Sequence, residues 1–272
     1  MRIGNQTALA AGDPLEPYRF AVAHGFNAFE WFSDRSGERG FSFDQLCRAE
    51  RAELRREGER HDMRFSVHAP WDADPCERGD DVALQRSIHF AADIGAGIVV
   101  VHMNPDVPLG RFVAALAAPA RLAQAAGVRL ALENTVCTTP GMFNTLFTEM
   151  DVPADVRAAL GMCLDIGHAN LCPETMHDYV GYLDRIDPRV PIIHVHVHEN
   201  FGDQDSHLTL FTGPAAESDA GVRGVLRRLT ERGFTGSLIL EQWPEPPELL
   251  VHARDHLRAL IAELPRAVRR VD

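Results

Sequence analysis

The 272-residue sequence predicts an α/β protein that folds as a single (β/α)8 TIM barrel, and three observations support this prediction. Short runs of β-branched and aromatic residues alternate with longer Ala-, Leu- and Arg-rich segments of helical period. Eight such units fit into roughly 250 residues, the usual size of this barrel. No linker rich in Pro, Gly or Ser divides the chain, so we expect one domain over residues 1–272.

The eight predicted strands are separated by stretches that are long enough for a helix. In chain order they are RIGNQ from Arg2, NAFEWF from Asn27, RFSVH from Arg64, GIVVVH from Gly97, VRLALEN from Val128, GMCLD from Gly161, IIHVHVH from Ile192 and GSLILEQ from Gly236. Amphipathic stretches between them predict helices, among them DQLCRAERAELRREGER, DVALQRSIHFAADIGA, GRFVAALAAPARLAQAAG and VRGVLRRLTERG. A doubly wound sheet is the alternative. Its nucleotide-binding form is disfavoured because Gly95-Ala96-Gly97 precedes a strand and lacks a third glycine.

Composition excludes several kinds of chemistry. All 27 basic residues are arginine, because the sequence contains no lysine. This excludes Schiff-base lysines and the P-loop lysine, so we expect neither PLP nor a nucleotide cofactor. The net charge of -12 disfavours nucleic acid as a partner. Five cysteines without a C-x-x-C pair indicate free thiols.

The sequence also bears on location. No apolar run approaches the ~18 residues that a membrane helix needs, and the N-terminal MRIGNQT lacks a signal-peptide core. We therefore expect a cytoplasmic protein with no membrane partner. The sequence is compatible with a homo-oligomer.

Carboxylates and imidazoles end seven of the eight predicted strands. In chain order these residues are Glu30, His68, His102, Glu133, Asp165, His196 or His198, and Glu241. The carboxyl ends of barrel strands surround one pocket, so these side chains should converge. Imidazole and carboxylate donors without a thiolate suit Mn, Zn, Co or Fe, with Mg less favoured. The pattern predicts a divalent metal site, with a purely structural polar network as the alternative.

The stretch PIIHVHVHEN places three histidines on alternate positions of one strand, His194, His196 and His198. Alternate strand residues point to the same face, so all three should enter the barrel together. Strand parity does not decide which of them would bind a metal.

Four motifs in this order resemble the xylose isomerase-like TIM barrel superfamily. They are LALEN at Glu133, CLDIGHAN at Asp165 and His168, HVHEN followed by DQDSHL, and LEQW at Glu241. This superfamily includes sugar and sugar-phosphate isomerases and epimerases, and also relatives of AP endonuclease family 2. The resemblance covers nearly the whole chain.

The resemblance to the isomerases and epimerases implies a metal held by Glu133, Asp165, His196 and Glu241. His196 is preferred over His198 because the superfamily spacing is His-x-x-acid, which His196 and Glu199 match. It further implies that Glu133 and Glu241 are the catalytic acid and base that act on a small polyhydroxy carbonyl substrate. The proton transfer would pass through an enediolate intermediate that the metal stabilises.

The resemblance to the endonuclease branch implies further metal ligands, which would contact substrate in an isomerase. The matching residues are His68, His102, His168, Asp205 and His207, with His198 as another candidate. A multinuclear zinc phosphoesterase or apurinic endonuclease-like hydrolase is therefore the alternative function, and a non-catalytic ligand-binding barrel is the second. HMNP and HLTLFTG depart from the superfamily motifs at substrate-contacting segments. We favour the isomerase or epimerase because the chain is acidic and lacks lysine.

Aromatic residues near strand ends could wall a sugar pocket beside Glu30. The candidates are Trp31, Trp71 and Trp243. Aromatic faces pack well on apolar surfaces such as sugar C–H groups, although aromatic residues at strand ends also simply close barrels.

Overall fold

All eight predicted strands form a closed parallel barrel in the computed structural model, which describes residues 1–36, 39–76 and 82–265. The barrel strands are β1 (Arg2–Gln6), β2 (Ala28–Phe32), β3 (Arg64–His68), β4 (Ile98–His102), β5 (Arg129–Glu133), β6 (Leu160–Asp165), β7 (Ile192–Val197) and β8 (Ser237–Leu240). Each strand pairs with the next, and β8 closes the barrel onto β1. The (β/α)8 prediction is confirmed.

Helices surround the barrel. They are α1 (Glu16–Ala23), α2 (Arg48–Arg60), α3 (Val82–Ile94), α4 (Leu109–Ala125), α5 (Pro140–Asn144), α6 (Ala154–Ala159), α7 (Ile166–Leu171), α8 (Tyr179–Asp184), α9 (Pro214–Glu217), α10 (Ala220–Glu231) and α11 (Glu248–Glu263). The four amphipathic stretches quoted above form α2, α3, α4 and α10. Within the described residues, no helix is long and apolar enough to cross a membrane.

Short irregular elements fill the connections between strands and helices. They are 3-10 turns at Phe43–Gln45 and Pro173–Thr175, a π-helical turn at Thr145–Glu149, and a hairpin of Arg35–Ser36 with Arg39–Gly40. The hairpin follows β2 and was not predicted, because its strands are only two residues long.

Two apolar layers fix the barrel. The larger lies between the strands and the helices, where α3, for example, buries Leu84, Ile88 and Phe90. The smaller fills the barrel interior with Val100, Ala131 and Cys163, against which Ile98 and Ile193 pack. Val100, Ala131 and Cys163 each lie two positions before the polar residue that ends the same strand. Both side chains of each pair therefore point into the barrel. The interior is therefore apolar below and polar toward the carboxyl ends of the strands.

Candidate metal centre and active site

The strand register brings the predicted side chains to one end of the barrel. His102 on β4 is the Cα partner of Glu133 on β5, and Asp165 on β6 is the partner of His196 on β7. Partnered residues in a parallel sheet point to the same side, so these side chains enter the barrel together. Glu241 directly follows β8 and reaches the same group.

His196 lies among the three carboxylates. Its Nδ1 atom is 3.1 Å from Glu241 Oε1, 3.3 Å from Glu133 Oε1 and 3.9 Å from Asp165 Oδ2. Donors that share one cation at about 2.1 Å lie roughly 3 Å apart, so these spacings suit a shared metal. Among the described residues, His196 Nδ1 and Glu241 Oε2 are buried and have no hydrogen-bond partner. The four side chains thus have suitable donor types for a divalent metal, and Glu133, His196 and Glu241 lie close enough to share one ion with His68, with Asp165 beside them.

The charges in this group also favour a bound cation. Burial raises the pKa of Glu241 well above its ordinary value, and the nearby Asp165 and Glu133 carboxylates raise it further against the effect of His196. Burial also opposes ionisation of Glu133, but the imidazoles of His196 and His102 outweigh it and hold the pKa of Glu133 well below its ordinary value. Three buried carboxylates crowd together here, and a cation between them would relieve their repulsion.

A second group lies beside the first and nearer the solvent. His168 Nε2 is 3.0 Å from Asp205 Oδ2, and His207 Nε2 is 3.1 Å from the same oxygen. The His198 and His207 rings stack with their centroids 3.9 Å apart. His198 Nε2 also lies 3.1 Å from Asp165 Oδ1, which links the two groups. His168, His198, Asp205 and His207 could together hold another metal ion.

Gly167 makes room for the His198 ring. A Cβ atom at this position would lie only 2.0 Å from His198 Cε1, so any other residue would displace the imidazole. Glycine therefore lets α7 begin directly against β7.

Two histidines contact the opposite side of Glu133. His68 Nε2 is 3.0 Å from Glu133 Oε2, and His102 Nε2 is 3.6 Å from the same oxygen. The structure thus brings every predicted metal-ligand candidate into one connected group of imidazoles and carboxylates.

Glu30 lies beneath this group and not at the opening of the barrel. It is 0% exposed, and its Oε1 is 2.9 Å from His196 Nε2. Its Oε2 accepts a hydrogen bond from Ser66 Oγ at 2.7 Å and lies 2.8 Å from His194 Nε2. A carboxylate that binds the far nitrogen of a ligand imidazole fixes the orientation of the ring. Glu30 thus belongs to the support of His196, whereas the sequence placed it in the substrate pocket.

The three aromatic candidates lie in different places. Trp31 is 0% exposed and packs against Tyr18 and Phe41 in the layer under the helices, because it points away from the barrel when Glu30 points inward. The structure therefore does not bring Trp31 to the pocket. Trp71 is 64% exposed, and its carbonyl oxygen is 3.1 Å from His102 Nδ1. Trp243 is half-buried and meets the ring of Phe20 edge-on.

Three residues that organise this end of the barrel were given no role from the sequence, although His194 and Glu199 stood within its motifs. Ser66 and His194 both bind Glu30, and each lies two positions before a predicted residue on its own strand, which is a usable signal. The third is Glu199, which follows the histidine column. Its carboxylate accepts hydrogen bonds from the backbone N–H groups of Thr212, Gly213 and Ala215. Glu199 thereby fixes the segment that follows His207.

A closed parallel barrel with imidazoles and carboxylates at the carboxyl ends of its strands defines the class of protein. Residues 18–260 match the family described as xylose isomerase-like TIM barrel. The chain belongs to this family, as its motifs predicted.

One curated relative and several solved structures are similar to the chain. Protein MJ1311 of Methanocaldococcus jannaschii is 27% identical over 200 residues, which span 67% of this chain and 66% of that protein. The match thus covers slightly less than two thirds of the length of MJ1311. A D-tagatose 3-epimerase-like protein has a TM-score of 0.74 at 22% identity, with 96% of this chain and 97% of that chain covered.

Two further structures have the same fold. Endonuclease IV from Thermus thermophilus has a TM-score of 0.67 at 23% identity, covering 97% of this chain and all of its own, 100%. The IOLI protein with a bound zinc atom has a TM-score of 0.68 at 16% identity, covering 97% of this chain and 99% of its own. The structural neighbours thus include both an epimerase-like protein and an endonuclease.

Proposed function

We propose that the protein is a divalent-metal-dependent isomerase or epimerase that acts on a small polyhydroxy carbonyl compound, a sugar or a sugar phosphate. The observation that carries this proposal is the position of His196 Nδ1 between the carboxylates of Glu133 and Glu241. With Asp165, these residues would hold one divalent cation. When bound, the cation would offset the negative charge that develops on substrate oxygens.

The two glutamates supply the proton chemistry in this proposal. Glu133 comes from β5 and Glu241 follows β8, so their carboxyl groups approach His196 from different strands. One carboxylate would take the proton from the carbon beside the substrate carbonyl, the C–H electron pair would form the carbon–carbon double bond of the enediolate, and the C=O π pair would move to the carbonyl oxygen. The other glutamate, in its acid form, would return a proton to carbon. Both carboxyl groups are buried, which favours proton transfer that excludes bulk water.

The polar side chains nearer the solvent suit a substrate with several hydroxyl groups. Asp205 and His207 have side chains 32% and 39% exposed, and His102 is also partly exposed. They could exchange hydrogen bonds with hydroxyls, and Trp71, whose carbonyl oxygen contacts His102, has an exposed side chain that could pack on C–H groups. The similarity to a D-tagatose 3-epimerase-like protein supports the same substrate class.

A second candidate function, phosphoester hydrolysis by several metal ions, is favoured by one observation. Two more sets of donors flank the first, His168, Asp205 and His207 on one side and His68 and His102 on the other. Neighbouring metal ions can activate water and stabilise a leaving oxygen. The similarity to endonuclease IV supports this candidate. Against it, the net charge of -12 opposes binding of a nucleic-acid backbone.

Metal stoichiometry separates the two candidates. The metal content per chain would be measured by elemental analysis on protein purified without chelators, for wild type, Glu133→Gln and His207→Ala. We expect one metal that is lost in Glu133→Gln and kept in His207→Ala. Glu59→Gln, on the exposed face of α2, is the matched control and should keep its metal.

Other results would change the assignment. Two or three metals in wild type, with fewer in His207→Ala, would favour hydrolysis and should coincide with phosphoesterase turnover. The absence of metal under all loading conditions would overturn both candidates.

A further inference from the structure

Three arginines surround a cleft at the opposite end of the barrel, where the strands begin. Arg64 begins β3, Arg129 begins β5, and Arg232 follows α10 just before β8. Together with Pro188 and Pro191 they line a cleft of about 410 Å³. This volume equals that of more than ten liquid waters at about 30 Å³ each, so a small molecule can enter. We call Arg64, Arg129 and Arg232 the arginine foot.

Backbone carbonyls hold the guanidinium groups in place. Arg64 Nη1 donates to Thr235 O at 3.1 Å, and Arg129 Nη2 donates to Leu160 O at 2.7 Å. Arg232 donates to the carbonyls of Ile186 and Asp187. Each guanidinium carries five N–H groups, so most of them remain available. Arg129 Nε is buried and has no hydrogen-bond partner among the described residues.

Within the described ranges, no carboxylate forms an ion pair with the arginine foot, although acids lie nearby. Asp62 pairs with Arg2 at 2.7 Å, and Asp187 pairs with Arg189 at 2.8 Å. A third acid near Arg232, Asp184, pairs with Arg228, so the acids nearest the cleft already bind other arginines. The cleft therefore concentrates positive charge in a chain whose net charge is -12.

Burial disfavours the charged form of all three arginines. Burial lowers the pKa of Arg129 and of Arg232, and burial together with the charge of Arg2 lowers the pKa of Arg64. Each guanidinium remains charged at neutral pH because its reference pKa exceeds 12. A bound anion would satisfy both the charge and the free N–H groups.

We propose that the arginine foot binds the phosphate group of a small molecule. Guanidinium groups bind phosphate oxygens through paired N–H donors, and three positive charges favour a dianion over a single carboxylate. The cleft is distinct from the candidate metal centre. A strand of five residues and the inner layer of Val100, Ala131 and Cys163 lie between the two ends.

Calorimetric titration tests this proposal with two probes, inorganic phosphate and AMP, at constant ionic strength. Wild type should bind phosphate saturably, and Arg64→Gln and Arg129→Gln should each weaken binding by about tenfold, since one charged hydrogen bond is lost. Arg227→Gln, an exposed arginine on α10, is the matched control and should bind as wild type does. Glu133→Gln should also retain phosphate binding, because it alters only the other end of the barrel.

The outcomes separate a ligand site from a structural role. Tighter binding of AMP than of phosphate would support the proposal with a phosphorylated molecule as ligand, and equal binding would support it with free phosphate. The proposal is overturned if wild type shows no saturable binding. It is also overturned if Arg64→Gln keeps full phosphate affinity while Arg129→Gln lowers Tm equally in phosphate and in chloride.

Discussion

The two ends of the barrel carry opposite chemistry on the same strands. β3 begins with Arg64 and ends with His68, and β5 begins with Arg129 and ends with Glu133. Where the strands end, buried carboxylates and imidazoles lie within 4 Å of one another. Where they begin, guanidinium groups donate to backbone carbonyls and lack an acidic partner in the described part of the chain.

This difference shows how each end keeps its charge. In the metal centre, buried carboxylates lie against imidazoles as well as against one another, so the loss of one member leaves its imidazole partner without compensation. In the arginine foot, neighbouring charges repel, so the loss of one member also removes a repulsion. We therefore expect substitutions at the metal centre to have large effects and those at the foot small effects unless an anion is bound.

The largest expected effect is on catalysis by Glu241→Gln. Removal of one acid–base group should slow proton exchange between substrate and solvent by about 10²–10⁴-fold. The fold should persist because glutamine has nearly the same shape as glutamate. NMR in D2O would follow loss of the substrate C–H signal over a panel of ketoses and aldoses, with circular dichroism as the check on folding. Exchange within tenfold of wild type would remove Glu241 from the acid–base pair.

A smaller effect is expected beneath the metal centre, at Glu30. Because Glu30 Oε1 lies 2.9 Å from His196 Nε2, Glu30→Gln should weaken metal affinity by about 10–100-fold. Glu30→Ala should also destabilise the fold by about 3–5 kcal/mol, since His194 and Ser66 would lose a buried partner. Metal competition against a chelator and urea denaturation would measure the two effects. Unchanged metal affinity in Glu30→Gln would show that the contact with Glu30 does not contribute to metal binding by His196.

The residues around Glu30 illustrate how far sequence alone can predict this site. The run NAFEWF correctly predicted a strand, but Glu30 does not end it as expected, because β2 continues for two residues to Phe32. Glu30 consequently lies deeper in the barrel than the side chains that end the other strands. Strand parity could have excluded Trp31 from the pocket, because adjacent residues point to opposite faces. How deep a residue lies depends on the stagger between strands, which local sequence does not encode.

The ends of β4, β5 and β6 were predicted more accurately. His102, Glu133 and Asp165 are each the last residue of a strand. The end of the apolar run in the sequence therefore identifies these site residues directly. The arginine foot was not predicted, because arginine at the start of a strand looks like an ordinary solvated residue. That it lacks an acidic partner among residues 1–36, 39–76 and 82–265 depends on which residues lie across the barrel, and only the closed fold determines that.

The smallest expected effect is coupling between the two ends along one strand. Arg129 and Glu133 are separated by four residue steps of β5, or about 13 Å, so substitutions of each should act independently. In urea denaturation of Arg129→Gln, Glu133→Gln and the double variant, the coupling free energy should stay below about 0.5 kcal/mol. A coupling above about 1 kcal/mol would show that the ends communicate. We would then expect phosphate at the arginine foot to change metal affinity at the other end, and by linkage the metal would change phosphate affinity by the same factor.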